Sequence, residues 1–557
     1  MRLSFSLSIL LALFFLLFSA CADYKMHVEG EANQTPPASL GEPEHVMFLV
    51  GDAGEIPAGM KAPPAIQFLG KKLAAAPKNS SVIFLGDNIY PEGLPQRKSK
   101  GREVAEVALN AQLDILKGFK GKPFFIPGNK EWMQKKPRKG VERMEDYIEE
   151  RLGEDKEIWL PDDGCSGPVP VDLSKNVLAL FVDSEWYRMN WNKERELNEG
   201  CDIKSRETFA FFVQDEMKKN RTKNIVVLMH HPVYSNGEAG GRYSLKQHLF
   251  PLTDLSPKLY VPLPVVGSLY RFLQSAAGSR QQNSHPLAQD LKKVMESSAK
   301  KNGSFIFVSG HEHSLQYFEV DGQSFVVSGA GSKQSPVGKG RGAQFAYGAE
   351  PGFSILKFYP DGEVFLEFWT AGSSPLGVGG DGEDGKMVYS KQIKGKLPTK
   401  IVEPVTEFPE YKNGKDSVTV ALKTNIKTGS IHRFFWGDHY RKAYLAPVKA
   451  PVLDLETWRG GVTPLKRGGG SQTNSLRVED AEGRQWVLRS MVKDETRIVP
   501  YPFNKTFAKD LFADQFTSAN PYTAFTIARM AKAIGIYYTT PKLWYMPKQP
   551  RLGDFND

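Results

Sequence analysis

Five short apolar runs, each cut off at a small polar motif, set the tightest limit on how this chain folds. Val46-Met47-Phe48-Leu49-Val50 leads into Gly51-Asp52-Ala53-Gly54, and Ser81-Val82-Ile83-Phe84-Leu85 into Gly86-Asp87-Asn88-Ile89-Tyr90. Phe124-Phe125-Ile126 precedes Gly128-Asn129-Lys130, Ile225-Val226-Val227-Leu228 precedes His230, and Phe305-Ile306-Phe307-Val308 precedes Gly310-His311-Glu312-His313. Runs of this length bounded by glycine or proline read as strands buried on both faces. Such strands pair inside a sheet covered by helices. Polar residues just past their C-terminal ends stand where ligands gather in open sheets. One Gly-Asp turn after a strand is ordinary; five in series, with histidine only in the later ones, are not.

The motifs supply two carboxylates, a phenol, an amide and three of the chain's ten histidines. That donor set suits two metal ions about 3.5–4 Å apart that clamp a phosphate. The order GDxG, GDxxY, GN, VxxH, GHxH resembles the calcineurin-like metallophosphoesterases, and within them the purple acid phosphatase branch. The resemblance implies an α/β (α+β) fold: a four-layer calcineurin-like β-sandwich flanked by helices, with a smaller C-terminal α+β region.

The resemblance also implies roles. Asp87 would bridge both metals. Asp52, Tyr90 and His313 would complete one site, and Asn129, His230 and His311 the other. The Tyr90 position binds Fe3+ in that branch, beside a divalent Fe, Zn or Mn, and hard oxygen donors mixed with imidazole suit these ions. The implied activity is phosphomonoester hydrolysis by in-line attack of a metal-bound hydroxide, with a nearby acid protonating the leaving group. A phosphodiesterase of the same fold is the alternative, as is a metal-binding surface module with weak turnover.

Two departures bear on these roles. Asp-x-His of the wider superfamily is Asp52-Ala53-Gly54 here, as in the purple acid branch. The usual Gly-Asn-His is Gly128-Asn129-Lys130. Lys130 carries charge for a phosphate, but a lysine is a poor general acid near neutrality. His248, in the loop after the fourth motif, is the leading replacement acid, and His231 the second candidate. Asn88 and Glu312 sit inside motifs and are candidates to line the cleft.

The N-terminus carries a second signal. Arg2 precedes an apolar run from Leu3 to Phe18, and Phe18-Ser19-Ala20-Cys21 resembles a bacterial lipobox. The run is short for a membrane span and of signal-peptide length. A signal peptide over 1–20 is expected, with Cys21 lipidated and the protein exported to the bacterial cell envelope, held on the periplasmic or surface face of a membrane. A plain secretory signal is the alternative. Cys165 and Cys201 then remain, and an oxidising compartment favours their pairing.

The rest of the chain divides into a polar tether over 21–44, the phosphoesterase domain over 45–391, a linker over 392–415 and an α+β region over 416–557. The late strand-like runs near 325–328, 353–358 and 364–368 are expected to form the second sheet, the last two paired antiparallel across Pro360-Asp361-Gly362. A glycine-rich loop is expected over 372–385. The C-terminal region pairs a glycine loop with a hairpin, most simply a structural one. It resembles a region of longer bacterial surface phosphoesterases that continue into an outer-membrane barrel, so association with such a barrel is one expected partnership. A net charge of +9 is spread without a long basic block, which argues against nucleic acid as a partner. Lys135-Lys136-Pro137-Arg138-Lys139 is a short basic patch near the third motif.

Overall fold

The structure is a computed structural model. It describes residues 22–153, 158–190, 197–254, 258–372, 385–397, 416–423, 426, 428–469, 474–493 and 514–556. The chain divides into two compact units, residues 1–203 with 212–401 and residues 204–211 with 402–557.

The larger unit is a sandwich of two sheets. β1 is His27–Val28, β2 His45–Val50, β3 Ser80–Phe84, β4 Lys122–Phe125, β5 Val169–Asp172, β6 Val177–Phe181 and β7 Asn224–Met229. β8 is Ile306–Ser309, β9 Leu315–Val320, β10 Gln323–Ser328, β11 Ala343–Tyr347, β12 Gly352–Phe358, β13 Val364–Thr370 and β14 Lys386–Lys394. One sheet runs β14-β13-β12-β2-β3-β4, the other β1-β11-β9-β10-β8-β7-β6-β5. The strands before the five motifs are β2, β3 and β4 in the first sheet and β7 and β8 in the second. They pair in parallel within each sheet.

Alternation along these strands explains their unbroken apolar character. Met47, Leu49, Ile83, Phe124, Val226, Leu228, Ile306 and Val308 point between the sheets into one core. The intervening residues face helices. On the first sheet, α1 (Pro64–Ala74) buries Ile66, Phe68, Leu69 and Leu73, and the Phe68 ring lies 5.5 Å from Phe353 on β12. With both faces covered, a polar residue inside a strand would cost an unmet hydrogen bond.

Further helices are α2 (Arg102–Asp114), α3 (Pro137–Leu152), α4 (Ser184–Arg188), α5 (Arg206–Lys219), α6 (Leu245–Leu249), α7 (Pro264–Ala277) and α8 (Pro286–Asn302). The basic patch at 135–139 opens α3. There Arg138 and Lys139 both pair with Glu142, at 3.0 and 2.6 Å, so that part of the patch is neutralised locally.

Several expectations change. The run near 325–328 is β10, which sits beside β8 in the eight-stranded sheet; the expected antiparallel pair, β12 and β13, joins β2 instead. Residues 22–34 do not hang free as a tether. Ala22 donates to the Tyr243 carbonyl, Glu29 donates to Gln344, and Gln34 donates to Ser390, while β1 pairs with β11. Main-chain bonding to a sheet edge needs no apolar side chains, so a polar segment docks as readily as an apolar one. Cys165 and Cys201 form a disulfide across 36 residues. The glycine-rich stretch lies outside the described residues over 373–384, as does most of the linker over 398–415.

The smaller unit holds a two-stranded sheet, β15 (Ser417–Val420) with β16 (Val448–Pro451), and a three-stranded one of β17 (Thr463–Gly469), β18 (Asn474–Glu479) and β19 (Gln485–Arg489). Its own core gathers Leu453, Leu455, Val462, Leu476, Val478 and Leu552. The hairpin expected around Glu482-Gly483-Arg484 is β18–β19.

Candidate metal centre

The C-terminal ends of β2, β3, β4, β7 and β8 meet at one edge of the sandwich. Gly51 N–H donates to Ser328 of β10 at 2.7 Å across the two sheets, and within the second sheet Gly310 N–H donates to His230 at 3.0 Å. Gly86 and Gly128 make the approach possible. A Cβ on Gly86 would stand 2.6 Å from Gly128 N and 2.7 Å from His230 Nδ1, and a Cβ on Gly128 would stand 2.4 Å from Asp87 N. No side chain fits at either position.

Three of the polar residues leave their strands with left-handed backbones: Asp52 at φ 58°, Asp87 at φ 53° and His311 at φ 66°. Non-glycine residues reach that region at a cost of roughly 1–2 kcal/mol each. Strain concentrated this way is a mark of a functional site.

The seven motif residues fall into two groups. In the first, Tyr90 Oη donates to Asp52 Oδ1 at 2.8 Å and lies 3.0 Å from His313 Nε2. In the second, Asn129 Oδ1 lies 3.0 Å from His230 Nε2 and 3.2 Å from His311 Nδ1. Asp87 stands between them. Its Oδ1 accepts the Lys130 backbone N–H at 2.9 Å and lies 3.4 Å from His230 Nε2. Asp52, Asp87 and His230 are all buried and offer donor atoms within 4.8 Å of one another, as do His230, His231 and His311.

Two of the imidazoles are oriented from behind. His230 Nδ1 faces the Leu85 carbonyl at 2.7 Å, and His311 Nε2 faces the Gln281 carbonyl at 2.9 Å. A carbonyl only accepts, so each of these nitrogens carries the proton. His230 Nε2 and His311 Nδ1 are thereby left as bare lone pairs aimed at Asn129 and at each other, 3.3 Å apart. Neutral imidazoles held this way are the arrangement that binds a cation. The donor set fits metal ions, because two lone pairs so close repel unless a positive charge sits between them.

The electrostatics agree. Burial holds His230 below the usual imidazole range and, with the His230 charge, His311 well below it. Burial and the Asp52 charge push Asp87 up to about 7. Burial alone would raise Asp52, but the hydrogen bond and charge of His313, with His230 and His311, hold it below the usual carboxylate value. Burial and both carboxylates push the Tyr90 phenol well above its usual range. A bound cation would bring the raised Asp87 and Tyr90 back down and favour the same neutral imidazoles.

The other candidates fall elsewhere. The Lys130 ammonium lies 5.7 Å from the Tyr90 ring centre and 3.7 Å from Met133 Sδ. His231 is buried behind the centre, against Ser184 Oγ at 2.9 Å and Gln281 Oε1 at 2.7 Å. Burial and the Arg188 charge hold it well below the usual range. His248 lies on α6, edge-on to Tyr243 at 6.3 Å, and none of its described partners is one of the seven. Asn88 turns inward to the Ile126 carbonyl at 3.3 Å. Glu312 also turns inward, accepting from Ser235 Oγ at 2.6 Å and Ala239 N at 2.9 Å. Neither lines the cleft.

Three residues at the centre escaped the sequence reading. Glu131, fully buried, accepts the N–H groups of Asp87, Asn88 and Gly128 at 3.1, 2.8 and 2.7 Å. Gln281 reaches both His231 and His311 from the loop between α7 and α8. Lys333 places its ammonium 3.7 Å over the Tyr90 ring and pairs with Glu55 at 2.7 Å. Only Glu131 had a local signal, an acidic residue directly after Gly-Asn-Lys.

Among solved structures, the chain is similar to GAP50, the anchor in the inner membrane complex of Plasmodium, at 15% identity and TM-score 0.37 over 63% of this chain and 89% of that one. It is similar to purple acid phosphatase PPD1 from yellow lupin (Lupinus luteus) seeds at 13% identity and TM-score 0.36, over 65% of this chain and 57% of that one. Both likenesses are distant. No curated protein matches the sequence. Residues 48–261 match the calcineurin-like phosphoesterase family, and they take in the motifs from Asp52 to His230. Residues 48–261 are thus similar to a calcineurin-like phosphoesterase domain.

Proposed function

We propose that this domain is a binuclear metal-dependent phosphomonoesterase of the purple acid phosphatase type. The observation that carries the reading is the division of seven donors into two groups with Asp87 between them. Asp52, Tyr90 and His313 would hold the Fe3+, Asn129, His230 and His311 the divalent Fe, Zn or Mn, and Asp87 both. Bound there, the metals supply an activated water and neutralise charge on the phosphoryl oxygens.

The chain's own residues do the rest. Leu85 and Gln281 fix the protons on His230 and His311 away from the cleft. The Lys130 N–H and Glu131 hold Asp87 in its left-handed turn. Lys130 and Lys333 flank Tyr90 on the open side and set positive charge where an anionic ester approaches; charge of this kind raises association rates. Lys130 thus takes the phosphate-facing part of the usual histidine without its acid function.

We further propose that the protein is exported and held on a membrane by lipid on Cys21, as the lipobox-like run supports.

The test is hydrolysis by the full chain of an aryl phosphate monoester against the matching diester, with Asp87→Asn as control. Faster monoester turnover, lost in the variant, is expected. Preference for the diester overturns the monoesterase reading. Retained activity in Asp87→Asn overturns the site assignment. Tyr90→Phe is expected to abolish any visible absorption band.

A further inference from the structure

Helix α7 is built inside out. Gly267 and Arg271 face the protein and are buried, with Arg271 stacked 4.9 Å over the Tyr243 ring. Val265, Val266, Leu269, Phe272 and Leu273 point away; Val265 is 77% exposed and Phe272 65%. These five positions fall on one stripe at helical spacing. A surface helix ordinarily buries that stripe, and an exposed apolar patch of this kind marks an interaction surface.

The docking of Ala22, which follows the lipobox-like run in sequence, says what covers it. Ala22 donates its N–H to Tyr243 at 2.9 Å and bridges in parallel with Ser244. Ser244 caps α6, and α7 lies on α6: Leu263 N–H donates to Leu249, and a Cβ on Gly267 would meet the His248 carbonyl at 2.1 Å. Ala22, the residue that follows Cys21 in the sequence, therefore lies at the base of the helix pair that displays the stripe. Exposed Lys246 holds its ammonium 4.8 Å from the ring of Tyr260, in the segment leading into α7, and Lys258 in that segment is exposed too. Aromatic and lysine side chains at the edge of an apolar stripe suit the boundary between headgroups and acyl chains. Among the described residues, no helix is long and apolar enough to cross a membrane, so α7 would lie in the interface plane.

We infer that the Val265–Leu269–Phe272 face of α7 is the surface by which the protein lies on an anionic lipid bilayer, beside the anchor at Cys21. This rests on the lipid-anchor proposal. The seating brings a second membrane contact to the one acylated residue and fixes which side of the domain faces the lipid.

The test places a cysteine on the face in the full chain, as Phe272→Cys, and on α2 as a control, as Val107→Cys, where Val107 is 55% exposed. Each carries an environment-sensitive dye, with the unsubstituted chain labelled as background. The proteins are bound to phosphatidylethanolamine–phosphatidylglycerol vesicles that contain a spin-labelled quencher lipid. The dye at 272 is expected to be quenched at least about twofold more than the dye at 107. Equal quenching at the two positions overturns the inference. So does a dye at 272 that is already shielded without vesicles in a protein that sediments as a dimer, because a second copy then covers the face. The mass of the N-terminal peptide reports the anchor separately. Absent acyl chains with quenching retained remove the anchor reading and leave the α7 face standing.

Discussion

Glu131 accepts the backbone N–H of Asp87 at 3.1 Å, so a buried carboxylate behind the centre sets the turn that presents the carboxylate at its middle. The same side chain takes the N–H of Gly128 at 2.7 Å. One residue thereby couples the motif after β3 to the motif after β4. Burial and the Asp87 charge push Glu131 up to about 7, and a cation at Asp87 relieves the second of these.

Removal of Glu131 tests that coupling. Glu131→Ala leaves three N–H groups without their acceptor, at about 1–3 kcal/mol for each buried group left unmet. A clear fall in melting temperature and loss of bound metal are expected. Glu131→Gln keeps one acceptor oxygen and should fall between. Calorimetry with elemental analysis of both variants checks the order.

Gly128→Ala places a methyl 2.4 Å from Asp87 N and 2.5 Å from Asp87 Oδ1. Overpacking typically costs about 1–3 kcal/mol, and here the atom displaced belongs to the proposed bridging group. Metal content is expected to fall more sharply than melting temperature. Equal metal content in Gly128→Ala and the parent would show that Asp87 does not bridge.

Lys130 is expected to bind phosphate and not to deliver a proton. Lys130→Met should raise KM about 10–100-fold, the range for a lost charge-assisted hydrogen bond of about 1.5–3 kcal/mol, with kcat changed much less. A loss confined to kcat, with KM unchanged, would assign Lys130 to the leaving group instead.

Glu145, buried on α3, accepts the Asp163 N–H at 2.9 Å. Burial, with the charges of Asp163, Glu149 and Asp162 beside it, pushes its carboxyl up from 4.5 to about 8. The folded chain thus holds this proton more tightly than the unfolded chain. The stability it contributes is complete below about 4.5 and is lost as pH rises through about 8. Glu145→Gln should remove that slope, so the parent loses several degrees of melting temperature relative to the variant between the two pH values. Parallel melting curves would contradict the assignment.

The Cys165–Cys201 bridge closes 36 residues. Chain-entropy reasoning gives such a loop about 4 kcal/mol. The double Cys165→Ala, Cys201→Ala chain should melt on the order of 5–10 °C lower, with metal content unchanged, because neither sulfur touches the seven donors.

The centre was legible because its residues follow strands buried on both faces. Where Met47 and Leu49 point to the core and the alternate positions face helices, the run is apolar throughout, and Asp52 at its end stands out. The same logic located Asp87, Asn129, His230 and His311. Support from behind was not legible. Gln281 acts on His311 through a backbone carbonyl, which every residue type possesses. His231 stood as the second candidate acid because it adjoins His230, but its ring packs against Ser184 and Gln281 behind the centre. His248 looked like an acid because its loop follows the right motif, yet the loop folds into α6 and turns the ring toward Tyr243. The docking of residues 22–34 runs on main-chain bonds, which leave no pattern in side chains. The stripe on α7 reads in sequence as an ordinary buried helix face, and only its burial pattern reveals the inversion.

Metal stoichiometry tests the central claim most directly. The full chain, purified with iron, zinc and manganese available, is measured by elemental mass spectrometry beside Asp87→Asn. The account predicts close to two metal ions per chain, at least one of them iron, and a marked loss in the variant. Fewer than one metal per chain in the parent, or an unchanged content in Asp87→Asn, would contradict it.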